Sequence, residues 1–336
     1  MNKRMIGALV PLAAVTLALS GCGGDPLGAT EPSGAGEPGG GSAELTPISV
    51  VVAPIHFEPT YIADREGFFE EEGLDVEIIR GADPTSNIAR VVSGEVQITT
   101  GSLGTLVTSN ARGVPVTAIA GNGYTSAEYA TSGILALESS GIESPADLAG
   151  RTVGIQGLNT GSEIGMFLAA EDHGIDPMSI ERVELASAGM ETALLEGTVD
   201  AVLASSPFFE QIGARDGVSL VSTPSTEYLA GSPITVWTVT REWVGANADT
   251  AKAFIRAMEK AQAFYEDDAN AEAVLDITAE ISEVDRESLS ADSLIPISVA
   301  IDEEQAKVQA DAFVEYGIID TAVTIDDLLW SEAPRR

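Results

Sequence analysis

The side chains of this sequence that could do chemistry are hydroxyls, amides and a few aromatics held in short turns. Without a general base beside a hydroxyl, groups of that kind bind ligands rather than break bonds. The two histidines are His56 and His173, and His173 closes Glu171-Asp172-His173-Gly174 at a helix C-terminus, where a solvated or dipole-favoured role is the ordinary one. The chain has no Gly-x-Ser-x-Gly elbow, phosphate-loop lysine motif, zinc-spaced His/Cys set or Gly-x-Gly-x-x-Gly after a strand. Carboxylate pairs abound, but with 52 acidic residues they carry no information. An enzyme reading therefore has little to stand on, and no cofactor or metal is expected.

In open α/β sheets, ligands bind beyond the carboxyl ends of strands, where helix N-termini offer unpaired N–H groups. Five turns hold such places. Ile55-His56-Phe57-Glu58 follows the first strand, Gly101-Ser102-Leu103-Gly104-Thr105 the third, and Asn122-Gly123-Tyr124-Thr125-Ser126 the fourth. In a second unit, Gly157-Leu158-Asn159-Thr160-Gly161-Ser162 and Ser205-Ser206-Pro207-Phe208 hold matching positions. The candidate ligand-binding residues are His56, Phe57, Glu58, Gly101, Ser102, Leu103, Thr105, Asn122, Tyr124, Asn159, Thr160, Gly161, Ser162, Ser205, Ser206 and Phe208, with Arg80 after the second strand. Ser, Thr and Asn before a helix also serve as caps. Tyr124 and Phe208 either stack on a ligand or pack their loops, so the reading rests on five turns converging. Tyr61 and Phe68 belong to a core, and Trp237 to a core or hinge.

The elements that must position these turns alternate from Thr46 onward as strand and helix, the pattern of an α/β fold. Strands are expected at Ile48–Ala53, Leu74–Ile79, Val96–Thr100 and Val114–Ala120, with helices at Thr60–Glu72, from Asp83-Pro84 to Gly94, and at Leu103–Arg112. The second unit repeats this order with strands Thr152–Ile155, Val183–Leu185 and Val199–Ala204, and helices at Gly161–Asp172 and up to Glu196. Ile134–Leu137 and Ile234–Thr240 flank it as two crossings. Three amphipathic helices, Asn247–Asp267, Ala271–Ile281 and Asp302–Tyr316, should pack back on the first unit. Two similar α/β lobes with a cleft between them are expected: residues 46–135 with 233–336, and residues 136–232.

Ahead of the lobes stand a basic start (Lys3, Arg4), an apolar run from Ile6 to Leu19 too short to span a bilayer, and Leu19-Ser20-Gly21-Cys22. These residues match a bacterial lipobox. Residues 1–21 read as a signal peptide, Cys22 as the lipidated first residue of the mature chain, and residues 22–45, rich in Gly and Pro, as a flexible tether. Cys22 is the one cysteine, so an exported chain must be held together by its cores. The formal net charge of −35 makes nucleic acid an unsuitable partner and suggests a high-salt extracellular habitat.

Tyr61-Ile62-Ala63-Asp64-Arg65-Glu66-Gly67-Phe68-Phe69-Glu70-Glu71-Glu72-Gly73-Leu74-Asp75-Val76-Glu77 closely resembles the hallmark of the extracytoplasmic solute-binding proteins of ABC importers, in their nitrate/sulfonate/taurine and thiamine-precursor group. Ser93-Gly94-Glu95-Val96, Gly113-Val114-Pro115-Val116, Ser144-Pro145-Ala146-Asp147-Leu148-Ala149-Gly150-Arg151-Thr152-Val153 and Gly197-Thr198-Val199-Asp200-Ala201 agree with it. The resemblance implies a type II periplasmic-binding-protein-like fold and a monomer. It also implies a membrane anchor through the Cys22 lipid, and an ABC permease with its ATPase as partners for a small solute. The favoured solute is a sulfonate, taurine or nitrate anion, which would use N–H groups at Ser102, Thr160–Ser162 and Ser206, with Arg80. A thiamine-type pyrimidine or other flat heterocycle would use Tyr124, Phe57 or Phe208 with His56, Glu58 or Asn122. Yeast pyrimidine-synthesising enzymes of this fold rely on a Cys-rich motif, which this chain lacks.

Overall fold

The computed structural model describes residues 44–336 except 54–56, 82–83, 129 and 292–293. The expected signal peptide, Cys22, nearly all of the tether, and the candidate His56 lie outside the described residues. The first half contains β1 (Thr46–Val52), α1 (Glu58–Arg65), α2 (Phe68–Glu71), β2 (Leu74–Arg80), α3 (Pro84–Val92), β3 (Ile98–Ser102), α4 (Leu103–Ala111) and β4 (Val116–Gly121). Then come β5 (Ser132–Leu137), β6 (Thr152–Ile155), α5 (Gly161–Asp172), β7 (Glu181–Glu184), α6 (Ser187–Leu195), β8 (Ala201–Ser205), α7 (Phe208–Gly213) and β9 (Val218–Ser222). The chain closes with α8 (Pro224–Tyr228), β10 (Thr235–Thr240), α9 (Arg241–Ala246), α10 (Ala248–Tyr265), α11 (Ala271–Ser282), α12 (Glu303–Glu315) and α13 (Ile325–Leu328).

These strands form two five-stranded sheets, ordered β2-β1-β3-β10-β4 and β7-β6-β8-β5-β9. Parallel pairs build each sheet, and one antiparallel strand completes it, β10 in the first and β5 in the second. The β-branched run Val50-Val51-Val52 is fully buried, as a central strand covered on both faces requires. Two lobes of mixed α/β structure result, as the alternation predicts. The chain passes between the sheets twice, and the two passages pair with each other. Ile234 N–H donates to Gly123 O at 2.8 Å, and Thr125 N–H to Ser232 O at 2.9 Å.

Four expectations change. The helix expected over Thr60–Glu72 is two helices, because Gly67 takes φ 74° between them. Residues 132–135, placed above in the first lobe, lie in β5 and so in the second sheet. β9 was not anticipated, because Val218-Ser219-Leu220-Val221-Ser222 is a short edge run with Leu220 exposed. Finally, α10 and α11 do pack on α1 in the first lobe, but α12 packs against both α4 and α5. The reason is its apolar stripe. Ala306, Ala310 and Phe313 share one core cluster with Leu103 and Leu106 on one side and Ile164 and Phe167 on the other.

Candidate functional site

Two helix N-termini from different lobes meet at the carboxyl ends of the sheets. α4 begins directly after β3, where Ser102 Oγ accepts the Thr105 N–H at 3.0 Å; α5 begins after the turn that follows β6, where Thr160 Oγ1 accepts the Glu163 N–H at 3.3 Å. Both hydroxyls expected to touch ligand thus cap helices, which is what Ser and Thr do best before an apolar run. The lobes come into backbone contact here. A Cβ on Gly104 would lie 2.0 Å from the Asn159 carbonyl oxygen and 2.7 Å from Phe313 Cζ, so only glycine allows this approach. Asn159 itself adopts φ 59°, the left-handed region that Asn tolerates better than most residues.

α12 contributes a residue that the sequence reading missed. Gln309 is 2 % exposed, its Nε2 donates to Pro233 O at 3.3 Å, and its Oε1 has no partner. Its amide lies against Gly161, the first residue of α5, where a Cβ would come within 2.8 Å of Nε2. The signal was a glutamine on a stripe otherwise made of Ala306, Ala310 and Phe313.

Gly104, in the first turn of the helix that Ser102 caps and Thr105 follows, thus meets Asn159, which precedes the Thr160 cap and the Gly161 and Ser162 that open α5; Gly101 and Leu103 flank Ser102 at the β3–α4 junction. Leu103 is fully buried in the shared core. Asn122 and Tyr124 lie on the first passage between lobes. Asn122 Nδ2 donates to Thr235 Oγ1 at 3.0 Å, and the Tyr124 ring carries the Arg336 guanidinium 4.4 Å from its centroid. At the end of β8, Ser205 is half-buried, while the fully buried Ser206 hydroxyl is 3.1 Å from Thr131 O and 2.6 Å from Glu210 Oε1.

Three candidates make contacts elsewhere. Arg80 Nη2 donates to Ile281 O at 2.6 Å and lies 3.4 Å from Glu283, so it clamps the C-terminus of α11, where carbonyls attract a cation. Phe57 is buried edge-on against Trp237 at 5.2 Å. Phe208 packs in the core of the second lobe.

Buried polar groups give the strand ends of the first lobe their character. Glu58 is 3 % exposed; one carboxylate oxygen accepts from Thr278 Oγ1 at 3.1 Å, and Oε2 has no partner. Burial pushes its carboxyl up from the ordinary value. The Asn87 side-chain amide, against Gly81 and Val51, is also buried with both ends unpartnered. Glu163 in the second lobe is likewise raised by burial, against the opposing pull of the Asn159 N–H and Arg182. No group of His, Cys, Asp or Glu among the described residues could hold a metal ion.

A family model described as NMT1/THI5 like matches residues 55–271. A formylaminopyrimidine-binding protein of Halalkalibacterium halodurans is 30% identical over 145 residues, 43% of this chain and 42% of its own. A 4-amino-5-hydroxymethyl-2-methylpyrimidine phosphate synthase of Legionella pneumophila is 35% identical over 132 residues, 39% of this chain and 40% of its own. The chain thus matches about two fifths of the length of these relatives. The alkanesulfonate-binding protein SsuA of Xanthomonas axonopodis pv. citri superposes with a TM-score of 0.73 at 14% identity, covering 86% of this chain and 99% of that one, which is a likeness of fold.

Proposed function

The chain belongs to the NMT1/THI5-like family, and we propose that it is the solute-binding component of an ABC importer. It captures a small molecule between its lobes and hands it to a permease without changing it. The observation that carries this reading is the meeting of the α4 and α5 N-termini across two lobes joined by two paired passages, the architecture of a hinged clamp. A lipid on Cys22 would hold the clamp at the outer face of the membrane beside its permease, since two or three acyl chains anchor firmly.

Two solute classes fit. A sulfonate, taurine or nitrate anion finds N–H groups at the two helix N-termini and has the likeness to the alkanesulfonate-binding fold behind it. An amino-substituted heterocycle is the second class, and it is consistent with an Arg80 that is committed to α11 and not to an anion. The relative described as binding formylaminopyrimidine adds to that second class, which we take over the anion favoured by the sequence. Synthase activity is disfavoured, because the cysteine chemistry of such enzymes has no counterpart beyond Cys22.

Thermal melting against taurine, alkanesulfonates, nitrate and thiamine-type pyrimidines tests this reading. A true solute at 100 times its Kd adds about 2.7 kcal/mol of stability. Recovery of that solute unchanged after long incubation is expected, and conversion would overturn the transport reading. Replacing Cys22 with Ala should move the protein from the membrane fraction to the soluble one; retention at the membrane would refute the lipid anchor.

A further inference from the structure

We propose that Glu163 and Arg182 are a positioning pair that shapes the Gly157–Thr160 turn, and through it sets how closely the second lobe closes on Gly104 of the first. This rests on the clamp reading above but concerns residues outside the group expected to touch solute.

The Glu163 side chain is completely buried, an expensive place for a carboxylate unless both oxygens are satisfied. They are divided between two tasks. Oε2 accepts the backbone N–H of Asn159 in a short hydrogen bond, and Oε1 faces Arg182 Nη1 at 3.0 Å. The Glu163 N–H meanwhile binds Thr160 Oγ1. The turn is thus tied to α5 from both sides, with Asn159 held in its left-handed conformation between the ties. Thr160 and Glu163 have the Thr-x-x-Glu spacing of a capping box, but here the carboxylate reaches the N–H of Asn159, one residue before the cap, and a capping box requires neither its full burial nor a cation behind it.

Arg182 is fixed in turn. It sits in β7 with its guanidinium 5.1 Å from the centroid of Phe167, which is edge-on to Tyr316 at the C-terminal cap of α12. At the other end of the chain of contacts, the Asn159 carbonyl occupies the space that a Cβ on Gly104 would need. A change in the backbone of the turn by a few tenths of an ångström therefore changes the interlobe approach directly.

The test uses the whole protein without any solute. Amide hydrogen exchange reports on residues 157–160, and small-angle scattering reports on lobe separation. Glu163→Gln keeps an acceptor for Asn159 but leaves Arg182 unpaired, and Arg182→Met removes the cation while keeping an apolar stem over Phe167. Each should speed exchange of the 157–160 amides by about tenfold and expand the molecule, and the double replacement should restore part of the loss. Gly104→Ala should also expand the molecule by blocking the contact, and adding Glu163→Gln to it should give no further expansion.

Faster melting with unchanged exchange and scattering, or full additivity with Gly104→Ala, would reduce the pair to a stabiliser of α5 and overturn the proposal. If Glu163→Gln does not fold, Arg182→Met at its partly exposed site decides the matter. Neither readout needs a solute, so a failed solute screen and a failed positioning role remain separate results.

Discussion

Glu58 and Glu163 both carry carboxyl groups pushed up by burial, and the sign of their effect on stability follows from that direction. A group with a raised native pKa holds its proton more tightly folded than unfolded. Its contribution is fully present below the ordinary value of 4.5 and is lost as pH rises through the raised one. The melting temperature should therefore climb as pH falls from neutral toward that ordinary value, and melts at pH 7.5, 6.5 and 5.5 check it. Glu58→Gln keeps the acceptor for Thr278 without the buried charge, so it should raise stability at pH 7.5 by about 1 kcal/mol and flatten the pH slope. At this scale Ser102 and Thr160 were legible as residues before helices, since capping depends on a few neighbours. Arg80 was not, because its partners Ile281 and Glu283 lie about two hundred residues further along the chain.

Among the elements, α12 had a readable period and an unreadable destination. Its apolar stripe marks a buried face, but only the arrangement of the lobes sets that face against α4 and α5 together. Phe313 is completely buried at this junction. Phe313→Ala should cost about 3–5 kcal/mol. Calorimetry should show both lobes melting earlier in one transition; loss confined to one lobe would mean that α12 does not couple them. The break between α1 and α2 is a second case. Helical residues on both sides of Gly67 hid a turn that requires φ 74°, and Gly67→Ala should destabilise by about 1 kcal/mol in chemical denaturation.

Over the whole molecule, a formal charge of −35 sets acidic residues against one another, while many cations are already spent in pairs such as Arg65–Glu280, Arg256–Glu72 and Lys260–Glu72. Exposed pairs contribute about 0–1 kcal/mol each, so screening them loses little, whereas screening the surplus acid relieves repulsion over a range of about 8–10 Å. The melting temperature should rise between 0.1 and 1 M KCl; a fall would show that the ion pairs outweigh the repulsion. The residue pattern by itself determined the α/β alternation, the two lobes, the family hallmark around Tyr61–Glu77 and the turns at strand ends, because each is written in short runs of neighbouring residues or in their repetition. Only the tertiary structure decided that β5 and β10 complete sheets begun elsewhere, that Gly104 meets Asn159, and that Gln309 sits on Gly161. Those contacts join residues about 50 to 150 positions apart, and local propensity carries no record of which distant surface will be pressed against which.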